Sequence, residues 1–477
     1  MTVSNFIPTH PLGVKPLGNL YLSSSPNAKN NAGSLAILAD ETLMLLLEHL
    51  DSTSLANLGA TCQYLFAFSN SDELWKQLFL QSPKRTASHM EWIGTWRSLL
   101  RRCSEEPKRL QPPSCSNVFS DVLHRPFLCS HIDLAKYTSN IPARNQIARM
   151  ETMSYGEFSS KWGQKPFVLT NYVKDWRAMK EWTIDSLLEK YHDVVFRAEC
   201  VDWDLESYVK YMKNTGDESP LYLFDKKFAE KMNVTVGPES TDMYGRPEVF
   251  GPDLFEVLGT ERPAHRWLII GPARSGSTFH KDPNATSAWN AVVQGSKYWI
   301  MFPPSVDVPG VYVSEDSSEV TSPLSIAEWL IEFHTEARQK PECIEGICKA
   351  GEILHVPSGW WHLVVNLEDG IALTQNFVPR TNNLHHLVEA LSFLKDKADQ
   401  VSGFEDEVTN PYDLFVERLH EKFPDMLEEG VVLYEKKQAG KKRKWDDVVA
   451  VKDEQSQQSG FSFGFVIDDE ESEEEES

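Results

Sequence analysis

The sequence predicts a mainly β fold, a barrel or jelly roll flanked by helical segments. Two observations carry this. Between residues 166 and 377, short apolar runs bounded by turn-forming residues recur in series. Apolar residues at helical spacing concentrate before residue 82 and after residue 380. A chain of 477 residues with 41% hydrophobic and 11% aromatic content has material for two or three domains and a large buried core.

Taken in order, residues 1–32 are rich in Ser, Asn, Pro and Gly and are expected as a flexible leader. Residues 33–82 read as three short amphipathic helices. Asp40 is placed to cap the first, which carries Leu43, Leu46, Leu47 and Leu50; "DSTS" restarts a second with Leu55, Leu58, Cys62 and Leu65; "SNSDE" restarts a third with Leu74, Trp75 and Leu78. Such a set leaves an apolar face for a partner. Residues 83–139 are expected as a connector, basic and proline-containing at their start.

From 140 to 380 the strand pattern dominates. "KPFVL" leads into a helix over Ile184 to Lys190, and the runs "PLYLF", "RWLIIG", "SAWNAVV", "KYWIMF", "EILHVP", "WHLVVNL" and "IALTQNF" follow. Residues 381–436 turn helical again and suit scaffolding or homodimer formation. Residues 437–477 carry the basic cluster Lys441, Lys442, Arg443 and Lys444, then an acidic end, and read as a disordered tail.

Charge and cysteine usage exclude several classes. A net charge of −23 argues against strong nucleic-acid or anionic-membrane binding, and no apolar run is long enough to cross a bilayer. Seven scattered cysteines do not form a disulfide framework, and "MTVSNFIPTHPLG" lacks the pattern of a signal peptide. The expected compartment is reducing, nuclear or cytoplasmic, with "KKRKW" as a candidate import signal.

The chemistry concentrates in "STFHKDPNATSAWN". Positions i and i+2 of a strand share a face, so His280 and Asp282 project together and Lys281 points elsewhere. With a histidine from another strand they make the facial triad of non-haem Fe(II) oxygenases, which keeps positions open for a co-substrate and dioxygen. The pair alone is weak: His131 and Asp133 in "SHIDL" have the same spacing and none of the surrounding pattern. "GEILHVPSGWWHLVVNL" offers His355 and His362 as third ligand, and spacing leaves both open. A zinc site built from Cys343, Cys348, His355 and His362 is rejected, because the spacing between the second cysteine and the first histidine is too short. Lys297 opens the strand after the turn "QGS"; inside an aromatic-lined barrel it needs an anion, and the remote carboxylate of 2-oxoglutarate would serve. Thr374 can donate a hydroxyl to the same group.

Two resemblances sharpen these expectations. "ILADETLMLLLEHL", "LANLGATCQYLFAFS" and "DELWKQLF" resemble an F-box, with Ala39 where that family usually has proline. The resemblance implies docking through residues 33–82 on the adaptor subunit of an SCF ubiquitin ligase. "GPARSGSTFHKDPNATSAWNAVVQGSKYWIMFPP" and "AGEILHVPSGWWHLVVNLEDGIALTQNFVP" look like a JmjC-domain 2-oxoglutarate oxygenase of the phosphatidylserine-receptor type, similar from about 150 to 380. It implies a cupin-like double-stranded β-helix that uses Fe(II), 2-oxoglutarate and dioxygen. On matched positions, His280, Asp282 and His362 are the iron ligands, Lys297 and Thr374 hold the co-substrate carboxylate, and Asn290 and Tyr222 line its pocket, while His355 falls on an apolar family position. The implied activity is side-chain hydroxylation, lysyl hydroxylase-like, on a protein substrate, and the acidic charge of the chain suits a basic one. The alternatives are methyl-arginine or methyl-lysine demethylation by the same chemistry, and a non-catalytic SCF substrate receptor.

Overall fold

The apolar runs become strands because their alternate residues find two different cores, one on each face of a sheet. The computed structural model describes residues 8–101, 113–239, 241–315, 319–323 and 325–440. Its strands are β1 (Ala148–Met150), β2 (Phe167–Leu169), β3 (Val195–Ala198), β4 (Val201–Asp204), β5 (Leu223–Asp225), β6 (Arg266–Gly271), β7 (Gly276–His280), β8 (Ser287–Gln294), β9 (Ser296–Phe302), β10 (Tyr312–Val313), β11 (Val320–Thr321), β12 (Ile344–Lys349), β13 (Ile353–Val356), β14 (Trp361–Asn366) and β15 (Gly370–Phe377). The large sheet runs β1-β2-β13-β8-β15-β6-β5-β3-β4 and the small one β12-β9-β14-β7; only β1–β2 is parallel within them. This is the expected jelly roll.

The two sheets close over a shared inner layer. Ala288 and Val292 of β8 and Leu354 and Val356 of β13 meet Trp299 and Met301 of β9 and Val364 of β14. The alternate residues point outward: Tyr298, Ile300, Leu363 and Val365 pack beneath the helix Ile326–Glu332, while Trp289, Ala291 and Leu373 join the large core on the other side. Burial on both faces explains why these strands read as continuous apolar runs with no visible alternation.

Four expectations about the N-terminal third need correction. The helical region holds four helices, α1 (Asp40–Leu47), α2 (Ser52–Gly59), α3 (Gln63–Ser69) and α4 (Asp72–Gln81), because the expected second helix breaks at Ala60–Cys62. Asp40 is the first residue of α1 rather than its cap; its carboxylate accepts from Lys29 Nζ at 2.9 Å and Tyr64 Oη at 2.6 Å. Residues 8–32 are no loose leader: Lys15 bridges Phe119, and Val14 and Ala28 are buried. The stretch 83–139 is no mere connector either. Trp92 and Trp96 enter one aromatic cluster with Phe79 of α4 and with Trp203 and Tyr211 of the barrel domain, at centroid separations of 4.9–6.2 Å. Asp217, just before β5, accepts from Trp96 Nε1 at 2.9 Å and Tyr211 Oη at 2.8 Å and pairs with Lys76 of α4 at 3.4 Å. The helical module and the barrel therefore share one core.

The C-terminal helices His385–Asp396 and Pro411–Lys422 bury Leu391, Leu394, Phe415 and Leu419 against the segment Leu254–Glu261. Residues 437–440, expected as the start of a disordered tail, are helical, with Lys437 paired to Glu389; from 441 onward the tail, with its basic cluster, lies outside the described residues.

Candidate active site

Strand parity decides which polar side chains enter the barrel. On β9, Lys297 shares the inward face with Trp299 and Met301; on β14, His362 shares it with Val364 and Asn366; on β8, Asn290 shares it with Ala288 and Val292. His355 has the opposite parity to Leu354 and Val356. It faces away, buried among Phe158, Phe167, Phe250 and Phe377, with its Nδ1 facing the Lys165 carbonyl at 3.2 Å. Of the two histidines that spacing left open, His362 faces into the barrel and His355 away from it.

His280 closes β7, directly across from His362 on β14, and the rings stand 4.1 Å apart. Asp282 follows as β7 gives way to the turn Pro283–Ala285. One ligand atom from each of His280, Asp282 and His362 lies within 4.8 Å of the others. Both histidines are set up alike. His280 Nδ1–H donates to the Thr278 carbonyl at 2.7 Å, and His362 Nδ1–H donates to the Trp360 carbonyl at 3.0 Å. A carbonyl only accepts, so each Nδ1 carries the proton and each Nε2 lone pair is free for a metal. Burial, with His280 as neighbour, holds the His362 imidazole well below its ordinary range, so it is a neutral donor. Burial pushes the Asp282 carboxyl upward against the pull of His280 and a bond from Asn376, and its Oδ2 is buried without a hydrogen-bond partner. A cation between the three would relieve that.

Outside the barrel a second contact ties the ligand segments together. Lys281, between His280 and Asp282, sets its ammonium 4.4 Å from the ring of Trp361, the neighbour of His362, and donates to the Pro304 carbonyl at 3.3 Å.

Deeper in the barrel, Lys297 is 2% exposed. Its Nζ donates to Tyr222 Oη at 2.6 Å and Asn366 Oδ1 at 2.7 Å, both neutral acceptors. Burial pulls the ammonium down to about 7. Gly271 keeps this corner open, since a Cβ there would stand 2.7 Å from Tyr222 and 2.8 Å from Asn366. Asn290 and Thr374 are cross-strand partners on β8 and β15. The Asn290 Oδ1 is buried with no partner, whereas the Thr374 hydroxyl donates to the Trp289 carbonyl at 2.8 Å and must turn from it to serve a carboxylate. The seven residues singled out from the sequence therefore fall into three contacting groups: His280, Asp282 and His362; Lys297 with Tyr222; and Asn290 across from Thr374.

Sequence reasoning missed Asn366 and Asn376, though their spacing from His362 and Thr374 gives them the same strand faces. It also missed Glu199 and Arg274, which line an open pocket of about 360 Å³ together with His280. The decoy pair behaves otherwise: His131 ends the helix Asp121–Ser130, and Asp133 binds the Ala135 amide. Cys343 and Cys348 are free thiols and join no metal-binding group among the described residues.

Comparison with known proteins places this geometry. A cupin-like domain model matches residues 161–383 and an F-box-like model matches residues 40–81. The chain is 39% identical over 436 residues to the arginine-specific demethylase JMJ22 of Arabidopsis thaliana, covering 88% of this chain and 83% of that protein. The chain belongs to the F-box-bearing JmjC oxygenases. The bifunctional arginine demethylase and lysyl-hydroxylase psr-1 of Caenorhabditis elegans is 34% identical over 51% of this chain and 64% of its own length. The 2-oxoglutarate and iron-dependent oxygenase JMJD4 of Danio rerio is 26% identical over 62% of this chain and 68% of its own. As a JmjC oxygenase the chain has the donors its class requires. Two neutral imidazoles and a carboxylate with an unpaired oxygen suit Fe(II), and a buried cation without a counter-ion suits the far carboxylate of 2-oxoglutarate.

Proposed function

We propose that this chain is an Fe(II)- and 2-oxoglutarate-dependent protein oxygenase that hydroxylates the side chain of a lysine in a basic protein segment. One observation carries the reading: the three convergent ligand atoms share a barrel with a buried lysine that has no anionic partner. When bound, the iron with 2-oxoglutarate and dioxygen supplies the oxidation of a C–H bond to C–OH as 2-oxoglutarate becomes succinate and carbon dioxide. The chain's own work is positional. His280, Asp282 and His362 fix the metal, Lys297 with Tyr222 anchors the far carboxylate, and the apolar inner layer of Trp299, Met301 and Val364 keeps water out.

A second reading is favoured by the name of JMJ22. Hydroxylation of an N-methyl group on arginine gives a hemiaminal that loses formaldehyde, so the same site would act as a demethylase. Incubating the purified chain with Fe(II), 2-oxoglutarate and either lysine-rich or methyl-arginine peptides separates the two. Succinate with a one-oxygen mass gain supports hydroxylation, and succinate with formaldehyde supports demethylation. No succinate, together with no 2-oxoglutarate binding under anaerobic conditions, leaves only a substrate receptor.

The helical module adds recruitment to the proposal. Ile37 is 87% exposed and Leu45 60%, and Leu46 is exposed beside it, while Leu43 and Leu47 fill the core. That apolar strip, of which Leu45 and Leu46 lie in the region matching the F-box-like model, suits an SCF adaptor. Paired Leu45→Asp and Leu46→Asp changes are expected to cut adaptor capture at least tenfold with little change in melting temperature, because neither side chain belongs to the buried core. Capture that survives the double change would place the docking face elsewhere. The basic run from Lys441 to Lys444 makes nuclear residence part of the same reading.

A further inference from the structure

His280 lines a pocket of about 360 Å³ whose wall is not electrically neutral. Glu199 supplies the carboxylate and Arg274 the guanidinium among the residues that line it. Both hold a left-handed backbone, at φ +48 and +75, a conformation that side chains with a Cβ rarely adopt. Such strain persists only where surrounding structure imposes it, and it gathers at binding sites.

What imposes it at Glu199 is visible. The residue lies in the two-residue turn between β3 and β4, and one carboxylate oxygen accepts from the Tyr222 amide at 3.0 Å. The same tyrosine accepts from Lys297 through its hydroxyl. One residue thus orients both the carboxylate at the pocket mouth and the ammonium inside the barrel. Glu199 forms no ion pair among the described residues; Lys76, the nearby cation, is engaged with Asp217. Arg274 is tethered by a bond from its guanidinium to the Asp217 carbonyl at 2.9 Å, which leaves its other N–H groups for an acceptor.

Building on the proposed protein oxygenase, we infer that Glu199 is the specificity residue of this enzyme, pairing with the cationic head of the substrate side chain while Arg274 holds a peptide carbonyl or carboxylate beside it. A neutral or acidic side chain would leave the Glu199 carboxylate unpaired as the pocket fills, and that penalty is what selects. Burial already pushes the Glu199 carboxyl upward, and an incoming cation would oppose that shift.

Glu199→Gln tests this because glutamine keeps an oxygen for the Tyr222 amide and removes only the charge. Peptide KM for lysine- or methyl-arginine-bearing substrates is expected to rise about tenfold or more, with the effect falling in KM rather than kcat. The steep rise of peptide KM with added salt should flatten. Binding of a norleucine-for-lysine peptide should not change, nor should the KM for 2-oxoglutarate. An unchanged peptide KM would overturn the inference. So would a KM for 2-oxoglutarate that rises in step, since Glu199 would then act through Tyr222. A parent that binds 2-oxoglutarate but no cationic peptide also overturns it and leaves the oxygenase standing, whereas a parent that binds no 2-oxoglutarate removes the oxygenase reading itself.

Discussion

Replacing Asp282 with alanine is expected to abolish stable metal binding and to reduce succinate formation by more than about 100-fold. Changes to residues that merely support a ligand already cost about 10- to 100-fold, and Asp282 is the anionic member of the proposed triad itself. Loss of fold would mimic this result, but the structure predicts the opposite. In the metal-free chain the Asp282 Oδ2 is buried and unpaired, so removing it takes away an unfavourable group. The metal-free variant should melt no lower than the parent. Added Fe(II) or Mn(II) should raise the melting temperature of the parent alone, because a ligand that binds only the folded state stabilises it. A variant that gains as much from metal as the parent would remove Asp282 from the ligand set.

Lys297→Met should raise the KM for 2-oxoglutarate by roughly 30-fold or more, given about 2–5 kcal/mol for truncating one partner of a buried charged pair. Lys297 also predicts a pH dependence. Its groups within reach are Tyr222, Asn366 and, across the strand pair, Cys348, whose thiol is pushed well up by burial; none is an anion at neutral pH. With the ammonium held down to about 7 by burial, part of the protein carries a neutral amine above that pH and must take up a proton to bind the co-substrate. The KM should therefore climb as pH rises from 7 to 9, and stay flat in the methionine variant. Stability runs the other way. Between about 7 and the ordinary lysine value the unfolded chain holds more protons than the folded one, so this group makes the metal-free fold more stable as pH rises through that window. A co-substrate KM independent of pH in the parent would show that Lys297 keeps its charge without a partner.

Much of the barrel is legible in the sequence because each strand is punctuated by its own turn residues. "RWLIIG" became β6 and "IALTQNF" the body of β15 with little change of boundary. β12 escaped notice: "IEGICK" has a glycine and charged residues, and it is an edge strand of the small sheet. The pair His280 and Asp282 could be read from spacing, but the choice of His362 over His355 could not. In "EILHVP" both faces are buried, so the alternation that would reveal which way His355 points is erased. Glu199 and Arg274 were invisible for another reason. Their role depends on which hairpin lies beside β7, and pairings between distant segments leave no local pattern. The aromatic cluster around Trp96 is of the same kind, assembled from residues more than a hundred positions apart.

That cluster bears on how the two functions can be separated. Phe79 and Trp96 rest on Trp203 and Tyr211, and Lys76 reaches Asp217 beside the pocket wall. Cutting the chain after α4 or after the helix Trp96–Arg101 would strip this aromatic surface bare rather than release an independent catalyst. Heat or denaturant should accordingly melt module and barrel in a single cooperative step. The oxidation and the proposed recruitment are then lost together on truncation, and only point changes, such as those on the exposed strip of α1 or at Asp282, can silence one while sparing the other.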